Sequence, residues 1–560
     1  MILQPILDLV SICAAQGITD AVLSPGSRCA PLTLAFARHP DIQVKTISDE
    51  RAAAFIAMGM AQQQEVPTVL VCTSGSAAYN YAPAIAEAFF QQIPLLVLTA
   101  DRPPEWIDQW DGQTIRQQEI FGKHIKASYQ FPDDFHHPDK VWHAHRIVKE
   151  AILNAQEFPM GPVHINIPLR EPFYPNKDEA FDFKEFEKFE VIEGKRTLSD
   201  QQAAYLQSQL ESYQKILILC GQQRPSVEVH RALEEVILSK SAVVVSDTIA
   251  NCQVDGAICL HDHFTGLEPI IDSLQPDLII SFGKSIISKN LKLFLRKSDA
   301  HHWHISPNGY VPDTFQKLST VIKGEVTEVL GLVKTRGEKA THFLQAWTKT
   351  DQVIGSQLPT FLKEAPFGEF NALQKILQEI PVDSIIHVAN SMAVRYLNFL
   401  GPRKQEIVAN RGTSGIDGSN STSVGCAMTT DKFITLLTGD MAFFYDRNAF
   451  WHNYSTPNLR IIVFNNHAGG IFRLIDGPAN QPELEEFFET KQSLDAKNLC
   501  EEFGMDYYAV MDNPTLENSL QGFYTPSTHP KLIEVFSESV TNAGILKEIK
   551  GLIRELVSEQ

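Results

Sequence analysis

Short apolar runs alternate with helical patterns along the first third of the chain. Ala21-Val22-Leu23 runs into the turn Ser24-Pro25-Gly26, and Ile42 to Ile47 reads as a strand. Arg51 to Ala61 reads as an Ala-rich helix. Val69 to Cys72 and Leu95 to Leu98 are two more strands, closed by Thr73-Ser74-Gly75-Ser76 and by Thr99-Ala100-Asp101-Arg102-Pro103-Pro104. Continuous β-branched and Leu runs between helices predict parallel strands covered on both faces. Near the start, Leu3, Ile6, Leu7 and Val10 keep helical spacing around Asp8. That pattern predicts a packed helix rather than a secretion signal.

The pattern breaks over 172–200, which is polar, charged and Phe-rich and reads as a linker wrapping a surface. A second α/β pattern follows, with strands at Ile216 to Cys220, Ala242 to Val245, Leu278 to Phe282 and His302 to Ile305. A helical, polar stretch covers about 335 to 365. A third pattern has strands at Ile385 to Val388, Gln405 to Val408, Phe433 to Leu437, Arg460 to Phe464 and Leu532 to Val535. The expected fold class is α/β, with three consecutive doubly wound parallel-sheet domains over 1–175, 176–350 and 351–560. A chain of 560 residues is too long for one core, in keeping with that division.

Charge narrows the partners. The formal net charge of −19 at pH 7 argues against nucleic acid and anionic membranes. Any site for an acidic substrate must then be a local cluster of Arg and Lys. No apolar run approaches the roughly 20 residues of a membrane span. The eight cysteines form no C-x-x-C pair and lie mostly in apolar stretches. Reduced, buried thiols in a cytoplasmic protein are the expectation.

Candidate chemistry gathers at predicted strand ends. Gly439-Asp440 closes one strand and Asn465-Asn466 the next, with room between them for a helix. Both then sit at the carboxyl edge of a sheet, where open α/β sheets bind ligands. A carboxylate, an amide oxygen and a backbone carbonyl suit Mg²⁺ with a phosphate. Two unrelated strand-to-turn junctions have the same composition. Glu50 follows a strand and opens a helix, where an acid also offsets the helix dipole. Ser24-Pro25-Gly26-Ser27-Arg28 offers backbone N–H groups and an Arg fork to a carboxylate, or is a surface loop. Asn410 to Gly418 carries Gly412, Gly415 and Gly418, which let backbone approach a ligand closely.

Together these motifs resemble the thiamine diphosphate-dependent decarboxylase superfamily. The strings Ser24–Arg28, Ser48–Arg51, Thr73–Ser76, Thr99–Glu105, Gly112–Gln117, Asn410–Gly418 and Gly469–Phe472 are similar to one branch of it. That branch is the 2-succinyl-5-enolpyruvyl-6-hydroxy-3-cyclohexene-1-carboxylate synthase family. The resemblance spans the chain, strongest in the first and third domains and thin in the middle. It implies an N-terminal pyrimidine-binding domain, a central α/β domain and a C-terminal domain for diphosphate and metal. It also implies a thiamine diphosphate-dependent transferase, a carboligase, with Mg²⁺ or Mn²⁺. Such an enzyme decarboxylates 2-oxoglutarate and adds the succinyl carbanion equivalent to isochorismate, in menaquinone biosynthesis.

The resemblance also implies residue roles. Glu50 matches the group that hydrogen-bonds the cofactor aminopyrimidine. Asp440, Asn466 and the carbonyl of Ala468 match the metal ligands. Ile416 matches the apolar prop under the cofactor, with Pro25, Gly439, Ile471 and Phe472 also lining it. Ser391, Arg395 and Arg411 match groups around the 2-oxoglutarate-derived part. Ser27, Arg28, Arg102, Gln113 and Lys289 match the polar lining where isochorismate enters. Met441 stands where the superfamily usually has Gly, His467-Ala468 where relatives carry Asn or Asp and then Gly. Gly112 stands where some relatives have Asn, and Asn290 where some have Arg. The family's site lies between subunits, so a homodimer or a dimer of dimers is expected. An acetolactate synthase-type carboligase, or a non-catalytic binding protein of the same fold, is the alternative.

Overall fold

The computed structural model describes residues 3–558, apart from 177, 178, 193 and 335–337. The expected linker at 172–200 and helical stretch at 335–365 each include some of those positions, which lie outside the described residues. Among the described residues the strands form three sheets, and every pairing within them is parallel.

The first sheet contains β1 (Asp20–Leu23), β2 (Gln43–Thr46), β3 (Thr68–Cys72), β4 (Leu95–Asp101), β5 (Ala127–Gln130) and β6 (Pro162–Pro168). The second contains β7 (Ile216–Cys220), β8 (Val243–Ser246), β9 (Leu278–Phe282), β10 (His301–Ile305) and β11 (Leu318–Ile322). The third contains β12 (Ile385–Val388), β13 (Glu406–Val408), β14 (Ile434–Gly439), β15 (Leu459–Asn465), β16 (Asp506–Val510) and β17 (Lys531–Phe536). The first sheet runs β2-β1-β3-β4-β6-β5 and the third runs β13-β12-β14-β15-β17-β16. The two orders are the same once each sheet is counted from its own first strand. The outer sheets are therefore topological copies, which periodicity alone does not reveal. β5, β6, β11 and β16 were not expected from the sequence. In β6 the alternation of His164 and Asn166 hides a fully buried strand. Both polar groups are satisfied inside by Thr99, at 2.7 and 2.9 Å.

The linker does wrap a surface. Phe173, Phe181, Phe183 and Phe186 pack against the first core, and the Arg38 guanidinium sits 4.2 Å from the Phe181 ring centroid. Helix Glu338–Glu364 buries Phe343, Trp347, Ile354, Leu358 and Leu362 in a core shared by strands of the second and third sheets. All eight cysteines are buried and free.

The first and third sheets are joined through two helices. Helix Glu50–Gln64 follows β2, and helix Ser419–Ala427 follows the glycine-rich loop after β13. A Cβ on Gly59 would fall 2.1 Å from the Thr422 carbonyl oxygen, and one on Gly425 2.0 Å from that of Ile56. The axes approach so closely that only hydrogen fits at these positions. Ala52 to Ala61 and Val424 to Ala427 share one core. Gly425→Ala should therefore force the helices apart and cost about 1–3 kcal/mol. Gly544→Ala, in helix Ser539–Ser558 with no atom within 4 Å of the added Cβ, serves as the reference. Thermal unfolding should show a clearly lower melting temperature for Gly425→Ala; equal melting temperatures would rule out the tight contact.

Candidate active site

Strand register brings the acid and the amides together. β14 pairs Gly439 with Phe464 of β15, so Asp440 and Asn465-Asn466 leave the sheet side by side. The two asparagines divide the work. Asn465 is structural: its Nδ2 donates to Glu534 at 2.7 Å and to the Leu494 carbonyl at 2.9 Å, and its Oδ1 accepts from the His467 N–H. Asn466 is half engaged. Its Nδ2 donates to Glu369 Oε1 at 2.6 Å, while its Oδ1 is buried with no hydrogen-bond partner. Asp440 is buried and accepts from Gln492 Nε2 at 2.7 Å. Burial pushes its carboxyl up to about 6, against the pull of Gln492 and of the backbone at Met441 and Ala468. Burial and the nearby Asp440 likewise push Glu369 up to about 7, against the pull of Asn466, Tyr396 and Ser537. His467 sits at φ +57°, which turns the chain just before Ala468.

A buried carboxylate beside an orphaned amide oxygen fits a hard divalent cation. No group of three or more His, Cys, Asp or Glu among the described residues does so. The donors brought together here are instead one carboxylate and one amide oxygen, with the Ala468 backbone beside Asp440, and hard oxygen donors of this kind suit Mg²⁺ when phosphates complete its shell. Ile471 and Phe472 follow in the short turn Gly470–Leu474, half-buried beside this edge.

The glycine-rich loop is clamped from two sides. Asn390 Nδ2 donates to the carbonyls of Asn410 and Gly415, each at 2.7 Å. Glu87, from the first sheet's side, accepts the N–H of Gly412 at 2.7 Å and of Thr413 at 2.6 Å. Ile416 stays exposed at the loop's tip. Arg411 Nη1 donates to Asn390 Oδ1 at 2.8 Å, and its Nε is buried without a partner. Arg395 Nη1 donates to the Ser391 carbonyl at 2.6 Å. Ser391 itself lies at φ +69°, a conformation that costs a non-glycine residue about 1–3 kcal/mol and turns β12 into helix Met392–Phe399. Burial lowers the pKa of Arg395, and Arg411 lowers it further. Burial also lowers Lys292, with Arg411 and Arg395 adding to it. Two arginines and a lysine thus share a desolvated region, held by carbonyls and an amide. Such a region suits a carboxylate ligand.

The first sheet presents the other expected residues. Asp49 caps its helix by accepting the Ala52 N–H at 3.1 Å, and it also accepts from Asn448 at 2.7 Å. Capping is therefore done by Asp49. Glu50 is left half-buried, with one contact from Asn80 Nδ2 at 3.3 Å. Arg28 is buried, donates to the Leu169 carbonyl at 2.8 Å and stacks on Phe173. Arg102 pairs with Asp111 at 3.2 Å and donates to the Gly112 carbonyl at 2.7 Å. Pro25, Ser27 and Gln113 are exposed, and Gln113 lies at φ +55°. Lys289 is exposed at the start of helix Lys289–Lys297 on the second domain. No hydrogen bond or ion pair among the described residues joins Glu50 to Asp440, Asn466 or the glycine-rich loop.

Residues 8–123 match the family described as thiamine pyrophosphate enzyme, N-terminal TPP binding domain. Over 563 residues the chain is 46% identical to the 2-succinyl-5-enolpyruvyl-6-hydroxy-3-cyclohexene-1-carboxylate synthase of Cytophaga hutchinsonii, covering 99% of this chain and 99% of that protein. The chain belongs to this synthase family. Family synthases of Christiangramia forsetii and Flavobacterium johnsoniae are each 36% identical to it, covering 96% of this chain and 97% of the relative. The synthase family is thiamine diphosphate-dependent and employs a divalent metal, in line with the donor set at Asp440 and Asn466.

Four groups of this family member escaped the sequence reading: Glu87, Glu369, Gln492 and Lys292. Glu87 left a trace, as a lone acid inside the apolar run Ala84-Ile85-Ala86-Glu87-Ala88-Phe89-Phe90. The other three left none, because their partners are brought up only by the fold.

Asp446 supports the same edge. It accepts the Ser421 N–H at 2.7 Å and the Ser421 hydroxyl at 2.9 Å, and burial pushes its carboxyl from 3.8 up to about 7. A group raised on folding adds stability below its unfolded value, and that stability is lost as pH rises through the folded one. The window here runs from about pH 4 to about pH 7. Asp446→Asn carries no such charge. Its melting temperature, minus that of the parent, should move in the variant's favour across the window. A difference that stays constant from pH 4 to pH 7 would contradict the assignment.

Proposed function

We propose that this chain joins 2-oxoglutarate, with loss of carbon dioxide, to isochorismate by 1,4-addition. The product is 2-succinyl-5-enolpyruvyl-6-hydroxy-3-cyclohexene-1-carboxylate, for menaquinone biosynthesis. The observation that carries the reading is the pairing of two environments at one sheet edge. Asp440 and Asn466, with their buried oxygens, leave β14 and β15 at the same sheet edge where Arg395 and Arg411 follow the neighbouring strands β12 and β13. A substrate pair rich in carboxylates needs such cations in a chain of net charge −19.

Thiamine diphosphate, when bound, supplies the carbanion chemistry. Asp440, Asn466 and the Ala468 carbonyl hold the metal, and Gly439, Ile471, Phe472, Pro25 and Ile416 line the cofactor. Glu50 holds a proton at the aminopyrimidine, a role left open because Asp49 does the capping. Ser391, Arg395 and Arg411 take the 2-oxoglutarate side. Ser27, Arg28, Arg102, Gln113 and Lys289 orient isochorismate. Among the described residues of one chain, Glu50 shares no hydrogen bond with the third-sheet site. A homodimer or dimer of dimers, with Glu50 from one chain and Asp440 and Asn466 from another, completes the set. The working units are 1–175, 176–350 and 351–560, with helix Glu338–Glu364 bridging the second limit. The reading extends to a cytoplasmic enzyme, supported by its free, buried cysteines. No helix among the described residues is long and apolar enough to cross a membrane.

The full chain, supplied with thiamine diphosphate, Mg²⁺, 2-oxoglutarate and isochorismate, should yield the succinylated product by mass. Glu50→Gln should lower turnover about 10²–10⁴-fold while still folding. No product from the parent chain, or near-parental turnover in Glu50→Gln, would overturn the corresponding assignment.

Donor choice tests Arg395. An Arg–carboxylate contact contributes about 1.5–3 kcal/mol. Arg395→Ala should lower kcat/KM for 2-oxoglutarate about 10- to 150-fold. Pyruvate lacks the distal carboxylate, so the parent should use it poorly and the variant should change little with it. An equal loss with both donors would remove Arg395 from carboxylate binding.

A further inference from the structure

Asn466 presents two chemically opposite ends from one flat group. Its oxygen accepts, while its nitrogen only donates and cannot bind a cation. Rotation of the amide by half a turn exchanges the two at almost no change in shape. A metal ligand of this kind needs something to fix which end faces the ion. β14 and β15 provide no such group: Asn465 is occupied with Glu534, Leu494 and His467.

Glu369 provides it from a different element. It opens helix Glu369–Glu379, is 2% exposed, and accepts from Asn466 Nδ2 at 2.6 Å. In its ionised form the carboxylate accepts and does not donate, so it selects the nitrogen end of the amide. The oxygen end is then turned the other way, where it is buried and unpaired. Glu369 is itself held. Its N–H donates to Asn542 Oδ1 at 3.0 Å, and a Cβ on the preceding Gly368 would meet that oxygen at 2.7 Å. The next residue, Phe370, stacks on Tyr396 with ring centroids 5.2 Å apart and planes at 22°. Glu369 forms no ion pair among the described residues, so charge neutralisation by a neighbouring cation does not account for its burial. A buried acid is costly unless it is hydrogen-bonded, and Asn466 supplies one of those bonds beside Tyr396 and Ser537.

We propose that Glu369 is a positioning residue of the metal site, fixing the Asn466 amide so that Oδ1 faces the cation. The inference rests on the reading that Asn466 is a metal ligand. Partners that orient a ligand from behind commonly change metal affinity about 10–100-fold when removed.

The test is calorimetric titration of the full chain with Mg²⁺ at saturating thiamine diphosphate, without substrate. Glu369→Leu keeps the bulk and removes the acceptor. It should weaken Mg²⁺ binding about tenfold or more. Glu369→Gln keeps an acceptor oxygen but adds a donor, so its Mg²⁺ affinity should fall between those of the parent and Glu369→Leu. In the Asn466→Ala background, Glu369→Leu should add nothing, because the group it orients is gone. Parental Mg²⁺ affinity in a folded Glu369→Leu protein overturns the proposal. So does equal weakening by Gln and Leu, or a full further loss in the Asn466→Ala background. If Asn466→Ala alone leaves Mg²⁺ affinity unchanged, it is the ligand reading of Asn466 that fails. Should Glu369→Leu not fold, Glu369→Asp takes its place, since its carboxylate is one methylene short of the amide.

Discussion

The backbone contact between helices Glu50–Gln64 and Ser419–Ala427 sets the spacing of the first and third sheets. At Gly59 and Gly425 the neighbouring carbonyl lies about where a Cβ would be, so the separation has little freedom. Several of the candidate site residues hang from this pair. Glu50 opens one helix, and Gly418, at the end of the glycine-rich loop, opens the other against the face of Phe55. Asp446 binds Ser421 on the second helix and lies just past the helix that Asp440 begins. Asn448 reaches back to Asp49, and Arg51 reaches forward to the Tyr445 carbonyl at 2.9 Å. Within one chain, the edge that carries Asp440 and the edge that carries Glu50 are thus both fixed to one glycine-lined seam.

Electrostatics adds a second constraint. The chain is acidic overall, yet Arg395 and Arg411 sit half-buried with carbonyl and amide partners rather than carboxylates. A buried guanidinium paired with a carboxylate would already be neutralised. One held by a carbonyl is not neutralised by its hydrogen-bond partner. The same logic holds at Asn466, whose donor end is satisfied and whose acceptor end is not.

The sheets were largely legible in the sequence because their strands are continuous apolar runs between turn residues. β7, β9 and β12 begin and end where the runs do. The strands that escaped are those in which burial is not apolar, such as β6, or edge strands such as β11 and β16, exposed enough to mix polar residues. Motifs at strand ends could be found because parallel strands put all their carboxyl ends on one edge, so local strings become neighbours. Groups such as Gln492 and Glu369 could not, since each meets Asp440 or Asn466 only after the chain has folded back across the sheet. The shared strand order of the outer sheets was likewise invisible, because topology survives when side chains do not.

The clamp on the glycine-rich loop has a consequence for how ligands are met. A loop with glycines at 412, 415 and 418 would, if free, sample many conformations and lose them on binding. Glu87 takes the N–H groups of Gly412 and Thr413, and Asn390 takes the carbonyls of Asn410 and Gly415. The loss of freedom is therefore incurred once, when the two sheets come together, and not each time a substrate arrives. Affinity at this edge then reflects contacts made rather than order created, and a chain whose sheets have not docked has no formed loop to offer.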